Sequence, residues 1–288
     1  MFAELQVAAD RHALSDAALR IDQVTKVFGA HRHKALAALA AGMPHEQIKQ
    51  RFDCQVALNN ISLEIPAQQI FCLMGLSGSG KSTLIRHINR LIEPDQGEIW
   101  IGETAMTQLD SSALRQFRQQ RISMVFQHFG LFPHLNVLDN TAFALKVKGV
   151  AAKQRHEQAR FWLNEVGLSG HELDFHAQLS GGMQQRVGLA RALAAGTDIL
   201  LMDEPFSALD PLIRSKLQQL LLDLQQRYAK TVVFVTHDVH EARQLGAQVA
   251  LMKAGEVMQT GSLDTLEQHP VNDYVREFIS ATQVSNGS

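Results

Sequence analysis

Several short groups of residues in this chain have types and spacings that can do chemistry. The first is an apolar run, Phe71-Cys72-Leu73-Met74, that stops at Gly75-Leu76-Ser77-Gly78-Ser79-Gly80-Lys81-Ser82-Thr83. Glycines at a strand end let successive backbone N–H groups converge on an anion, and a helix starting at Lys81 adds the positive end of its dipole. Lys81 can then reach the outer phosphates of a nucleotide, and Ser82 offers a hydroxyl to Mg2+. This is a phosphate cradle, and alone it does not choose among kinases, GTPases, motors and transport ATPases.

Further along, Leu179-Ser180-Gly181-Gly182-Met183-Gln184-Gln185 opens a second helix with a serine and two glycines, an anion site by the same physics. The apolar strand 199–202 then delivers two adjacent carboxylates, Asp203 and Glu204, at the end where ligands gather in parallel sheets. Charges that merely cap a strand are a poor account of that pair, because the strand is otherwise wholly apolar. His237 follows the strand 231–236 and is the one histidine of thirteen placed at the C-terminal end of a core strand. Gln127 ends the strand 122–126, and Phe28 ends a first strand over 19–27. The Phe28 ring can cap a core edge or stack on a purine base.

The elements that must hold these groups follow from periodicity. Residues 69–74 read as a strand buried on both faces, and 122–126, 199–202 and 231–236 as its companions in a parallel core. Ile61, Leu63 and Ile65 alternate as a half-buried strand, and 97–103 makes a short hairpin arm, so a small antiparallel sheet flanks the core. Residues 33–53 interrupt the pattern as a helical hairpin divided at Gly42-Met43-Pro44. Helical spacing returns over 136–148 and 151–166, the latter closing at Gly167, and from Ser180 to about residue 195. Asp210-Pro211 is an N-cap and a first-turn proline that start a helix to about residue 228. A hairpin turning at Ala254-Gly255 and two short helices, 262–268 and 271–279, finish the chain. His128-Phe129-Gly130-Leu131-Phe132-Pro133-His134 is too broken to be regular and too apolar for an ordinary loop; it reads either as a local lid or as a patch for a partner.

Composition narrows the field. A chain of 288 residues can bury one large core or two lobes, and a net charge of −2 gives no general attraction to nucleic acid or acidic membrane. Cys54 and Cys72 are too few for a disulfide framework, and Cys72 lies in the buried strand, which fits a reduced cytosolic chain. His31 and His33 near Cys54 lack a second cluster to complete a metal site. No window has the roughly 20 apolar residues that a membrane span needs, so membrane work requires spans from another chain.

Taken in order, these marks make the chain resemble the nucleotide-binding subunits of ATP-binding cassette (ABC) transporters, across about residues 19–280. The phosphate loop is shared by many families; residues 179–185, standing between Gln127 and Asp203-Glu204, are specific to this one. Ser207-Ala208-Leu209-Asp210 and His237 complete the set. The resemblance implies an α/β fold, a P-loop NTPase core with a mainly parallel sheet, an antiparallel β subdomain and an inserted helical subdomain over about 128–195. An extension, 1–18, precedes the domain and a tail, 281–288, follows it.

It also implies roles. ATP and Mg2+ are the cofactors; Gly75, Leu76, Ser77, Gly78, Ser79, Gly80, Lys81, Ser82 and Thr83 cradle phosphates, with Phe28 against adenine. Ser82, Gln127 and Asp203 hold Mg2+, Glu204 polarises the attacking water, and His237 steadies the γ-phosphate. Ser180, Gly181, Gly182 and Gln184 serve the ATP of a second, head-to-tail copy, beside the D-loop residue Asp210. A separate membrane permease docks near residues 127–133, with an extracytoplasmic binding protein beyond it and no nucleic acid. This implies a peripheral place on the cytoplasmic face of the membrane.

Closer similarity lies with importers of glycine betaine, proline betaine and choline. It is carried by the insertion after Phe28, by Asn89-Arg90-Leu91-Ile92-Glu93-Pro94, by Val137-Leu138-Asp139-Asn140 and by Met183 where most signatures have glutamine. Many such relatives carry a C-terminal pair of cystathionine-β-synthase-type domains; the sequence stops at Ser288, so the resemblance is to a form without them. The rivals are an importer ATPase for another small solute such as histidine, a soluble ABC ATPase not coupled to transport, and a nucleotide-gated module without turnover.

Overall fold

The computed structural model describes residues 17–127 and 130–284. The extension before residue 17, His128 and Phe129 of the apolar stretch, and the end of the tail lie outside the described residues. The chain opens with β1 (Ala17–Phe28), the helical pair α1 (Arg32–Ala40) and α2 (His45–Phe52), β2 (Gln55–Pro66) and β3 (Ile70–Met74). Next come α3 (Lys81–Ile88), β4 (Gln96–Ile101), β5 (Thr104–Ala105), α4 (Ser111–Arg121) and β6 (Ile122–Val125). The helical stretch is α5 (Val137–Thr141), α6 (Phe143–Val147), α7 (Ala152–Glu165) and α8 (Gly181–Ala194). Alternation then returns with β7 (Ile199–Asp203), α9 (Pro211–Tyr228), β8 (Thr231–Val235), α10 (Val239–Gln244), β9 (Gln248–Lys253), β10 (Glu256–Ser262), α11 (Leu263–Gln268) and α12 (Asp273–Val284).

Two sheets result: β2-β1-β4-β5, wholly antiparallel, and β10-β9-β3-β8-β7-β6, parallel except for the β9–β10 hairpin. β3, β7 and β8 have every residue buried, because both faces of the second sheet are covered. Successive side chains in a strand point to opposite faces. Thus Ile70, Cys72 and Met74 join the cluster that includes residues of α5, α7, α8 and α9, while Phe71 and Leu73 join the one shared with α3 and the antiparallel sheet. Packing on both sides holds the C-terminal ends of the parallel strands as one rigid edge.

The stretch 136–148 forms two helices rather than one. The Thr141 hydroxyl donates back to Val137 O at 2.9 Å, a bond that competes with the helical ladder, and Ala142 separates α5 from α6. Buried Asn140 holds the incoming chain: its Oδ1 accepts from Phe132 N at 2.8 Å, and its Nδ2 donates to Phe132 O, Leu135 O and Asn136 O. Of the two readings of the apolar stretch, local packing therefore accounts for Leu131, which lies against the core, and for Phe132, whose ring is 4.4 Å from that of Phe143.

Candidate active site

Residues 75–83 leave β3 and enter α3 as a tight loop. Gly75 (φ +142°) passes so close to β9 that a Cβ there would stand 2.3 Å from Met252 O, and at Gly80 (φ +103°) one would stand 2.7 Å from Ala57 O. A side chain at either place would collide with backbone, in a conformation that only glycine adopts cheaply. The loop is further tied by Gly255 N donating to Ser79 O at 3.0 Å and Asn59 N to Gly255 O at 2.8 Å. The β9–β10 turn and β2 thereby hold its shape from behind.

Lys81 is buried, and its Nζ donates to Gly75 O at 2.8 Å and Leu76 O at 2.9 Å. Burial pushes its pKa down, and the carboxylates of Glu204 and Asp203 pull it back up. Ser82 Oγ donates to Asp203 Oδ1 at 2.7 Å, and Arg86 Nη2 reaches Asp203 Oδ2 at 3.3 Å. Asp203 is only 2% exposed. Glu204 turns out of β7 with φ +45°, and His237 Nδ1, after β8, lies 3.9 Å from its Oε2.

A cavity of about 170 Å3 is lined by Ser77, Gly78, Gly80, Lys81, Ser82, Thr83 and Glu204, together with Gln55 and Ala57 of β2. Typical ligand clefts run from about 300 to 1,000 Å3, so this volume suits phosphate groups and leaves a base outside. Phe28 pairs across the sheet with Gln55, which lines the cavity, and its own ring is 41% exposed. Lys26 Nζ stands over that ring at 5.4 Å and is itself paired with Asp95. A larger cavity, about 470 Å3, lies between Leu36 and Leu39 of α1 and Thr25 and Asn59 of the antiparallel sheet.

Other expected residues stand elsewhere. Gln127 follows β6, whose Val125 pairs with Met202, so it emerges exposed on the same edge as Asp203 and Glu204. Leu76 points outward, 60% exposed, and Ser79 is buried beside Lys81. Ser180 N-caps α8, its Oγ accepting from Met183 N, and Gln184 Nε2 donates to His176 O and Leu179 O. Gly182 meets Ile213 and Gly181 meets Leu209, so this turn packs on the start of α9. Asp210 spends its carboxylate capping α9, accepting from Ile213 N at 3.0 Å. Residues 75–83, 203–204 and 237 thus converge on one site, while the exposed Ser180 turn belongs to another part of the same chain. Arg86 and Gln55 were not expected; Arg86 has a signal, the four-residue step from Ser82 on one helix face, whereas Gln55 is found only through strand pairing.

Among the described residues no group of three or more His, Cys, Asp or Glu comes together to hold a metal ion. Ser82 and Asp203 are nonetheless hard oxygen donors in contact, which suits a Mg2+ that takes few protein ligands and shares the rest with phosphates and water.

Comparison with known proteins agrees with this geometry. The profile of the ABC transporter family matches residues 58–207. The chain is 46% identical, over 93% of its length, to the glycine betaine/proline betaine transport system ATP-binding protein ProV of Salmonella typhimurium, and it covers 67% of that protein. It is 46% identical over the same share to the glycine betaine transport ATP-binding protein OpuAA of Bacillus subtilis, covering 64%. The chain thus spans about two thirds of these relatives. Among solved structures, the dimeric ATP-binding cassette MJ0796 in a post-hydrolysis state with ADP and Pi superposes with TM-score 0.72 at 34% identity, over 85% of this chain and 98% of that one. On fold, site and sequence together, the chain belongs to the ABC transporter family, as one of its ATP-hydrolysing cassettes.

Proposed function

We propose that this chain energises uptake of a quaternary amine of the glycine betaine, proline betaine or choline type through a separate membrane permease. The observation that carries the ATPase reading is the convergence of Lys81, Ser82, Asp203, Glu204 and His237 on one sheet edge, with Glu204 and Lys81 lining the same cavity. The cargo reading is supported by the printed cargoes of the relatives above. Residues 19–280 act as one ATPase unit on this reading.

ATP binds with its phosphates over residues 75–83 and its base against Phe28. Lys81 exchanges the neutral carbonyls it now contacts for β- and γ-phosphate oxygens, a stronger, charge-assisted pairing. Ser82 and Asp203, joined by Gln127, are the residues to hold Mg2+, which supplies charge neutralisation at the phosphates. Glu204 accepts a proton from the attacking water, and His237 donates to the γ-phosphate as charge spreads over its oxygens. A second copy, head to tail, brings its Ser180, Gly181, Gly182 and Gln184 to the same nucleotide, with Asp210 near the seam; a two-fold pair makes two such composite sites. Loss of the γ-phosphate removes what bridges the halves, and the opening passes to a permease docked near residues 127–133 on the cytoplasmic face. The permease takes its cargo from an extracytoplasmic binding protein. Phe126, 39% exposed beside Gln127, offers apolar surface for that docking.

The test is uptake of labelled choline, glycine betaine, proline betaine and histidine by cells with and without this chain, together with co-purification of a membrane partner. Uptake of a betaine or choline that requires the chain is expected. Loss of histidine uptake alone would replace the cargo, and no membrane partner with no uptake defect would reject the transport reading.

A further inference from the structure

Beneath His237 lies a set of polar side chains to which the steps above assign no role. Glu241, in the first turn of α10, is only 7% exposed, yet both of its carboxylate oxygens are engaged. Oε2 accepts from Thr236 Oγ1 at 2.5 Å, and Oε1 accepts from Gln218 Nε2 of α9 at 3.0 Å. The Thr236 hydroxyl accepts in turn from Asp238 N at 3.0 Å, so residues 236–238 fold around one hydroxyl with His237 at the middle. Asp238 also caps α10, its Oδ1 accepting from His240 N at 2.8 Å.

Arg214, from the start of α9, faces the same group. Its Nη1 stands 3.5 Å from Asp238 Oδ2 and its Nε 3.9 Å from Glu241 Oε1, while Nη2 donates to Leu209 O at 3.1 Å. One guanidinium therefore bonds the turn that carries His237 and the backbone of the segment 207–210. Burial pushes the Glu241 carboxyl up, against the pull of the Thr236 bond, with Asp238 adding to the rise. A buried carboxylate that needs this many partners is costlier than an apolar residue of the same size, so packing alone does not explain it.

We propose that Glu241 is a positioning residue for ATP hydrolysis: through Thr236 it sets the turn that presents His237, and beside Arg214 it joins that turn to the segment 207–210 at the seam with the second copy. The inference rests on the placing of His237 at the γ-phosphate. His237 is 60% exposed as a side chain and, among the described residues, has a 3.9 Å approach to Glu204 as its one polar side-chain contact, so its aim depends on the backbone beneath it. Gln218 and Thr236 supply that footing from two different elements, which a cap within α10 alone could not do.

The test is a cycle of variants read in steady-state hydrolysis and in ATP affinity. Glu241→Ala is expected to lower kcat tenfold or more while Kd for ATP stays within threefold. Glu241→Gln is expected to keep at least a third of kcat, because its amide oxygen can accept from Thr236 and the Gln218 amide can turn to accept from its new N–H. Thr236→Val, of nearly the same shape, is expected to match Glu241→Ala and serves if that variant does not fold. In the double variant His237→Ala with Glu241→Ala, the second change is expected to cost less than twofold further. Losses that multiply in the double variant, or a Glu241→Ala enzyme with wild-type kcat while His237→Ala is impaired, would overturn the positioning role. A His237→Ala enzyme with wild-type kcat would instead remove the reading on which it rests, and the inference with it.

Discussion

Glu204 sits at a position where the chain leaves β7 in a left-handed conformation, φ +45°, which for a non-glycine residue costs on the order of 1 kcal/mol or more and is tolerated where the surroundings insist on it. The turn separates two neighbouring carboxylates by environment: Asp203 stays buried against Ser82, while Glu204 reaches the cavity and His237. Glu204→Gln keeps the shape and, on the proposed reading, loses the base. It is expected to cut steady-state hydrolysis by about 100-fold, within the range for a general base, to leave ATP affinity within threefold, and to accumulate an ATP-bound dimer in light scattering. Undiminished hydrolysis would reject Glu204 as the base. The residues of this site that could be read beforehand are those whose chemistry is local in sequence: the glycines before Lys81, the carboxylate pair after an apolar strand, the histidine after another. Gln55, Arg86 and Glu241 gain their places through strand pairing, a helix face and inter-helix packing, which no short motif encodes.

At the scale of elements, the phosphate loop is a backbone problem. At Gly75 a methyl group would meet Met252 O, which already accepts from Tyr274 Oη at 3.3 Å and belongs to β9, where Met252 pairs with Val257 of β10, so it cannot readily retreat. Gly75→Ala is expected to lower the unfolding free energy by about 2 kcal/mol or more, from strain at a special φ and a backbone clash, and to show as a fall in denaturant midpoint; an unchanged midpoint would mean that the loop yields. Asn140 poses the opposite case, a side chain holding up a loop. Asn140→Ala strands Phe132 N and Leu135 O, while Phe132 O keeps the bond from Leu135 N and Asn136 O the bond from the backbone N–H of residue 140; with each orphaned group costing about 1–3 kcal/mol less what water recovers, a loss of about 2 kcal/mol is expected. The same variant is expected to uncouple transport from hydrolysis while leaving ATP affinity intact, and tight coupling in it would move the permease contact away from residues 127–133.

The buried strands were legible because an apolar run bounded by charges has few alternatives, and the helical pair α1–α2 because Gly42 and Pro44 punctuate it. The break between α5 and α6 was not, since it comes from the Thr141 back-bond and the Asn140 clamp, which matter only once Phe132 is beside them. Helix α4 was not read from the sequence, although it carries its own mark, Asp110 accepting from Ser112 N and Ala113 N as an ordinary N-cap.

At the scale of the whole molecule, two sheets and a helical layer gather the phosphate loop, the carboxylates and His237 at one edge, while the Ser180 turn packs on the start of α9 and faces outward. On the proposed reading, each chain carries half of a site in two places, and a head-to-tail pair would complete both by a single self-complementary contact. The antiparallel sheet brings Gln55 to the cavity and pairs it with Phe28, an arrangement read from pairing and not from any motif. Steady-state ATP hydrolysis by Ser180→Arg, measured beside the wild-type chain with Kd for ATP as control, tests the composite site most directly. The account predicts that hydrolysis falls by about 100-fold or more, the scale of removing a preorganised transition-state donor, while ATP binding to Lys81 of the same chain is unchanged; hydrolysis at the wild-type rate would show that one chain completes the reaction alone.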